Sequence, residues 1–394
     1  MLVATSTLAM GVNTPASAVV LAELEQWDGT PYSVAQYKNM IGRAGRLGFT
    51  ERGRSFIIAP DFRSEHAAWD RYVSGEPEDV QSRFADADPR ALMLRALASA
   101  GAAGMSPPEL LSFLEESFAA WQHRQAGGIL WSSDQLARLL EELERFDLVA
   151  AEAHGQLQLQ PLGRLAGEAG VAIETILRLV DGARQVGPAP SAAALISLVQ
   201  LTIELDEVYM PVNARGFRKE SASWFGTLQR ENVPGLLLMA MQRRGGNVDV
   251  VRRAKRAVGC LLWMSGLPRA DIEAVLMRHV RENTVAGAVQ GAVGRTIDLL
   301  PTAVRVVELI HGSDLEEQLD ELLLRLQFGV SVDATALVRA FGDRLTRPQY
   351  QALVSRAWTD PAVIEGIDEG DLKSVIGLDA TSRLQTLWSA PEAA

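Results

Sequence analysis

The sequence predicts a mixed, mostly α protein: a partial α/β piece, then a winged helix, a helical bundle and a small helical module. Three observations carry this. Short apolar runs bounded by Gly, Asn and Pro lie before residue 60 and again near 148–159. Apolar residues at three- and four-residue spacing fill most of the remainder. The length of 394 residues, with 47% apolar and 22% charged side chains, is that of a packed chain of two or three domains.

The elements follow in order. Met1-Leu2-Val3-Ala4 is a short apolar run ending in the hydroxyls Thr5-Ser6-Thr7, and Gly11 and Asn13-Thr14-Pro15 make a turn. Ala18 to Leu21 is a second strand, Val34 to Ile41 a helix closed by Gly42-Arg43-Ala44-Gly45-Arg46, and Arg54 to Ala59 a third strand before Pro60. Strand, helix, strand is a βαβ-like piece, so the chain is expected to begin partway through an α/β domain. Residues 1–22 carry no charge and Ala16-Ser17-Ala18 resembles a signal-peptidase site. A positive n-region is missing, however, and Asn13 and Pro15 break the apolar stretch, which argues against export. The uncharged stretch Gln185 to Ile203 contains two prolines, Ser and Gln, and its apolar part is too short to cross a bilayer. A cytoplasmic location and no membrane partner are therefore expected.

Pro89 to Gly170 reads as the winged helix. Leu92, Leu94 and Leu97 begin one helix; Ser106-Pro107 starts the next, with Leu110, Phe113, Leu114 and Phe118 at helical spacing. Ser133 opens a third with Leu136, Leu139, Leu140 and Leu143 on one stripe. Two alternating runs around His154-Gly155 then make a hairpin. Nearly all of Val171 to His311 is helical, and Leu322 onward forms the last module.

Composition narrows the chemistry. The single cysteine, Cys260, excludes a disulfide framework, and five scattered histidines make a zinc site improbable; no metal site is expected. Net charge is −11, but it is unevenly spread. Residues 215–256 hold ten basic and three acidic side chains, whereas 311–394 hold seven and fourteen. Only four of the 38 basic residues are Lys, so the positive charge is nearly all guanidinium. The middle of the chain is the candidate surface for an anionic partner. Asp206-Glu207 reads as helix surface. Arg43 and Arg46, flanked by Gly42 and Gly45, can project together toward a concentrated anion such as a nucleotide γ-phosphate. A solvated basic turn is the alternative reading for an isolated Arg-x-x-Arg.

The surrounding residues resemble a known family. Ala4-Thr5-Ser6-Thr7-Leu8-Ala9-Met10-Gly11-Val12-Asn13-Thr14-Pro15-Ala16 resembles helicase motif V. Asn39-Met40-Ile41-Gly42-Arg43-Ala44-Gly45-Arg46 resembles motif VI, with Asn39 where the family usually has Gln. Both take the form used by the Ski-two-like DExH helicases of superfamily two. The resemblance implies that residues 1–75 are the C-terminal part of a second RecA-like domain. It implies that Arg43 and Arg46 meet the ATP phosphates, Arg46 as the finger. Gly11, Asn13 and Gly42 would then border the nucleotide, and Thr5 and Thr7 the nucleic-acid backbone. Trp27-Asp28-Gly29-Thr30-Pro31-Tyr32 occupies the place of a strand-separating hairpin in the archaeal fork-unwinding branch, so Trp27 or Tyr32 would stack on the first unpaired base. Packing of both rings on their own domain is the alternative.

The same resemblance implies a winged helix over 89–170, a helical ratchet bundle lining a single-strand channel over 171–311, and a helix-hairpin-helix-like module over 322–380. Arg243, Arg244, Arg252, Arg253, Arg256 and Arg295 are the candidate phosphate contacts; a solvated helix face is the alternative for each. The 394 residues contain no Gly-Lys dipeptide and no DExH acid before motif V. ATP and Mg²⁺ would thus be held mainly by the missing first RecA-like domain, in cis or in trans. The expected partner is single-stranded or forked DNA, with RNA as the other choice, and the chain alone is not expected to hydrolyse ATP. A non-enzymatic nucleic-acid-binding module is the alternative function.

Overall fold

The apolar run Ala18–Leu21 forms strand β1, which pairs in parallel with β2, Arg54–Ile57, from Ala18 opposite Arg54 to Leu21 opposite Ile57. The computed structural model describes residues 16–26, 28–45, 52–152, 155–280 and 286–389. The predicted first strand, Thr5, Thr7, Gly11, Asn13, Trp27, Arg46 and His154 lie outside the described residues. The chain divides into two compact units, Met1–Arg83 and Phe84–Ala394.

In the first unit, parallel pairing needs a crossover, and helix α1, Val34–Ile41, supplies it. Its start is a capping box. Ser33 Oγ accepts the Gln36 N–H at 3.0 Å, and Gln36 Oε1 accepts the Ser33 N–H at 2.9 Å. Glu78 accepts the Ala35 and Val34 N–H groups, orphans of the first helical turn, and those bonds hold its carboxyl below the usual carboxylate range. Helix α2, Phe62–Ala68, begins at Asp61 and runs on into a wider π-helical turn, Trp69–Val73. The small core is Val34, Tyr37, Ala68 and Tyr72, with the two tyrosine rings 5.3 Å apart.

The second unit opens with α3 (Pro89–Ala100), α4 (Pro107–Glu115), α5 (Phe118–Gln125) and α6 (Ser133–Arg145). Strands β3 (Val149–Ala151) and β4 (Leu157–Leu159) pair antiparallel, and α7 (Pro161–Glu168) follows. Met105 bridges to Leu157 as well, adding a short third pairing to the hairpin. The one helix expected through Leu110 and Phe118 is two. Ser117 accepts the Ala120 N–H and starts α5, so Phe118 leaves the α4 stripe and stacks on Trp121, both rings about half exposed.

Helices α8 (Ile173–Ala183), α9 (Ala192–Val199), α10 (Ile203–Asp206), α11 (Phe217–Arg230), α12 (Gly235–Gln242), α13 (Asn247–Met264), α14 (Arg269–Leu276), α15 (Ala286–His311) and α16 (Glu316–Phe328) form the bundle. The long α15, which carries Pro301 in its interior, packs against α8, α9, α13 and α16. One continuous core runs from Leu92 to Leu326.

A second core, from Val330 to Leu384, unites α17 (Thr335–Phe341), α18 (Arg347–Ser355), α19 (Pro361–Glu365), α20 (Glu369–Ile376) and α21 (Leu378–Ser389). Leu322 and Leu326 belong to the larger core, and the smaller one begins at Val330. Gly329 makes the break: its left-handed conformation (φ 65°, ψ 47°) ends α16. Arg347 then pins the module, lying 4.2 Å over the Trp263 ring and donating to the carbonyls of Gly329 (2.7 Å) and Leu267 (2.6 Å). Among the described residues no helix is long and apolar enough to cross a membrane.

Close packing of α7 explains its glycine. A Cβ at Gly163 would overlap the Leu148 carbonyl oxygen at the start of the hairpin. Gly163→Ala is expected to destabilise the second unit by about 1–3 kcal/mol through overpacking, read as a lower urea midpoint at unchanged m-value. An unchanged midpoint would contradict this packing.

Candidate nucleic-acid interface

In the first unit the two motif-like stretches meet through the backbone. The Ala16 N–H donates to the Arg43 carbonyl at 3.2 Å, and the Gly45 N–H donates to the Ala16 carbonyl at 3.1 Å. The last residue of the first stretch is thus tied to the arginine turn of the second. Gly42 caps α1 with ordinary helical angles, its N–H bonded to the Lys38 carbonyl. The glycine that the turn requires is Gly45, at φ 74°, where a Cβ would overlap the Gly53 nitrogen. Gly53, just before β2, is its counterpart: a Cβ there would overlap Ala44. Ala44 and Gly45, just after Arg43, therefore lie in close backbone contact with Gly53. Among the described residues no group of three or more His, Cys, Asp and Glu is placed to hold a metal ion.

Residues 24–26 and 28–32 are linked by short-range backbone bonds. Tyr32 N–H donates to the Leu24 carbonyl, Gln26 N–H to Thr30, and Gly29 turns at φ 80°. Asp28 accepts the Thr30 N–H at 2.9 Å. Tyr32 packs against the small core, and its carbonyl accepts the Tyr72 hydroxyl at 3.0 Å.

In the second unit the arginines divide into two sets. Arg253 and Arg256 of α13, expected to meet phosphate, are inside the bundle with side chains 1% exposed. Their environment is closed. Arg253 Nη2 donates to Asp206 Oδ1 at 2.8 Å, and its Nη1 donates to the carbonyls of Met241 and Arg244. Arg256 donates to Gln200 Oε1 (3.2 Å), the Val208 carbonyl (3.0 Å) and Asp206 (3.5 Å). Burial pulls Arg256 down to about 10, against the opposing pull of Asp206, so it remains charged at neutral pH. Buried to this degree, neither guanidinium is presented to solvent. Asp206, read as helix surface, is corrected to the hub of this cluster, since Arg178 Nη1 reaches its other oxygen at 3.0 Å. Lys255, between the two arginines, is fully buried too. It pairs with Glu220 at 3.0 Å, and Glu220 also accepts the Trp224 indole N–H.

The second set stands nearer solvent. Arg244 bridges Glu174 and Asp181, each at 2.9 Å, with a third of its side chain exposed. Arg252 donates to the Met210 carbonyl and lies 3.6 Å from Asp249. Arg295, on α15, is 3.5 Å from Asp298 and 42% exposed. Arg243 is exposed at the end of α12. The concentration of basic residues over 215–256 is therefore partly internal. The sequence carried a signal for this: Arg253 and Arg256 share a three- and four-residue stripe with Cys260 and Met264, the buried face of α13.

No family model matches the chain. It is similar to proteins named ATP-dependent DNA helicase Hel308 from three organisms. That of Methanocella arvoryzae is 22% identical over 351 residues, 86% of this chain and 44% of that protein. Thermoplasma acidophilum gives 33% over 189 residues, 46% and 26% of the two chains. Pyrobaculum calidifontis gives 32% over 146 residues, 36% and 20%. The chain spans less than half the length of these relatives.

Removing the hub leaves buried guanidiniums without their counter-charge. Asp206→Ala is expected to cost about 3–5 kcal/mol in urea unfolding, whereas Asp298→Ala, on the surface, should cost under about 1 kcal/mol. Equal effects of the two would contradict the assignment.

Proposed function

Because the chain is related to the C-terminal portion of the Ski-two-like DExH helicases of superfamily two, we propose that it is the nucleic-acid-handling part of an ATP-dependent DNA helicase. The observation that carries this reading is the pair of hydrogen bonds joining Ala16 to Arg43 and Gly45. It sets the end of a motif V-like stretch beside the arginine turn of a motif VI-like one, as a shared nucleotide cleft would need. The two-stranded parallel pairing of β1 and β2 fits the same reading. Parallel sheets are normally covered on both faces, yet Val20 and Phe56 are half exposed, as expected of a piece of a larger RecA-like sheet.

In this proposal Arg43 and Arg46 donate to the phosphates of an ATP bound chiefly by another RecA-like domain. Gly11, Asn13 and Gly42 line the cleft, and Thr5 and Thr7 hold the strand backbone. ATP with Mg²⁺ supplies the phosphoryl transfer that drives cleft closure. The turn around Asp28-Gly29-Thr30 separates strands, with Trp27 or Tyr32 stacking on the first unpaired base. Residues 89–170, four helices followed by a β-hairpin and α7, act as a winged helix that braces the motor. The bundle of 171–326, with α15 as its long helix, borders a single-strand channel, and Arg243, Arg244, Arg252 and Arg295 contact phosphates there. Arg253 and Arg256 hold the bundle together and are left out of that contact set. The module from 330 to 384 is the helix-hairpin-helix-like terminus.

Two measurements test this. Fluorescence anisotropy of the chain with a single-stranded oligonucleotide should give an affinity that falls with salt, log K changing by roughly 0.7 per phosphate contacted for each unit of log salt. A slope of zero would remove the nucleic-acid reading. Joining the chain to the N-terminal half of the Thermoplasma acidophilum relative should restore strand-stimulated ATP hydrolysis. Arg46→Ala should then lower kcat by about 10³-fold or more, with Arg43→Ala also impaired; wild-type rates in both variants would reject their role.

A further inference from the structure

Four guanidiniums line one cavity of about 370 Å³ in the second unit: Arg178, Arg184, Arg243 and Arg244. Two are fixed and two are not. Arg178 is held by Glu174 and Asp206, and Arg244 by Glu174 and Asp181. Among the described residues the side chains of Arg184 and Arg243 make no hydrogen bond and no ion pair. Both are exposed, and they stand at the C-terminal ends of α8 and α12. A cation at a helix C-terminus is favourable on its own. That accounts for each singly, but not for two helices delivering such a residue to one cavity already walled by two more.

The local charge is lopsided. Arg178, Arg244, Arg253 and Arg256 share the carboxylates of Glu174, Asp181 and Asp206, and Arg184 and Arg243 have none of their own. Like charges gathered at a half-enclosed wall repel one another, and an anion relieves that repulsion. The fork of a guanidinium matches the oxygens of a phosphate, two N–H groups to two oxygens. The cavity also has an apolar side, with Leu236 60% exposed at its edge, which suits a sugar or base attached to the phosphate. Its volume is that of a small-ligand site.

We propose that this cavity is a phosphate-binding site, closed around the anion by Arg184 and Arg243, with Arg178 and Arg244 as the pre-positioned floor. The phosphate belongs either to the backbone of a single strand or to a free polyphosphate. Only the first of these rests on the helicase reading.

The test compares the whole chain with R184A/R243A and with R339A/R383A, a charge-matched control on the exposed surface of the C-terminal module. Each is titrated with a single-stranded oligonucleotide across salt and, separately, with pyrophosphate in a thermal-shift assay. If the site takes the strand, R184A/R243A lowers affinity about tenfold and reduces the salt slope by about 1 or more, while the control does not. If it takes free polyphosphate, pyrophosphate raises the Tm of the wild type and of the control but not of R184A/R243A. The proposal is overturned if R184A/R243A matches the control in both assays, or if the wild type responds to neither probe. Wild-type strand binding that survives R184A/R243A unchanged, with no pyrophosphate response, removes this site and leaves the helicase reading standing.

Discussion

One carboxylate organises the helical bundle. Asp206, at the end of the single-turn helix α10, receives Arg178 from α8 and both Arg253 and Arg256 from α13. Arg256 continues the chain of bonds to Gln200 at the end of α9, and Gln200 donates to Thr296 on α15 at 3.3 Å. Five helices are therefore tied through one polar cluster inside an otherwise apolar core. Desolvating two guanidiniums is costly, and the carboxylate and backbone carbonyls around them offset that cost only in this geometry. Such a cluster fixes which helices meet and in what register, more than it adds to net stability.

This arrangement also decides where the molecule can meet a polyanion. A helix carrying Arg252, Arg253, Lys255 and Arg256 in five positions is strongly basic in sequence, yet three of the four side chains are buried. Other basic side chains do face outward, among them Arg184, Arg215, Arg218, Lys219, Arg230, Arg243 and Arg295, on a chain whose net charge is −11.

Much of the fold was legible in the sequence, because local chemistry determines it. The strands at 18–21 and 54–57, the helix at 34–41, and most of the helices and the hairpin between 89 and 168 stand where apolar period and capping residues put them. Legibility failed where the deciding contact is distant. Ser117 starts a helix of its own, although the apolar spacing runs straight through it. Gly45 needs Gly53, eight positions on across a turn, and nothing local announces that pair. The partners of Asp206 lie 28, 47 and 50 residues away, so a short acidic helix read alone is taken for surface. The arginine candidates were found by residue type, and burial then sorted them, which periodicity along α13 had already encoded.

The most direct measurement is arginine-specific footprinting with phenylglyoxal, read by mass spectrometry on the folded chain with and without a single-stranded oligonucleotide. The account predicts rapid modification of Arg184, Arg243 and Arg295 that the strand suppresses, and no modification of Arg253 or Arg256 in either state. Modification of Arg253 and Arg256 in the free chain, protected when the strand is added, would contradict it.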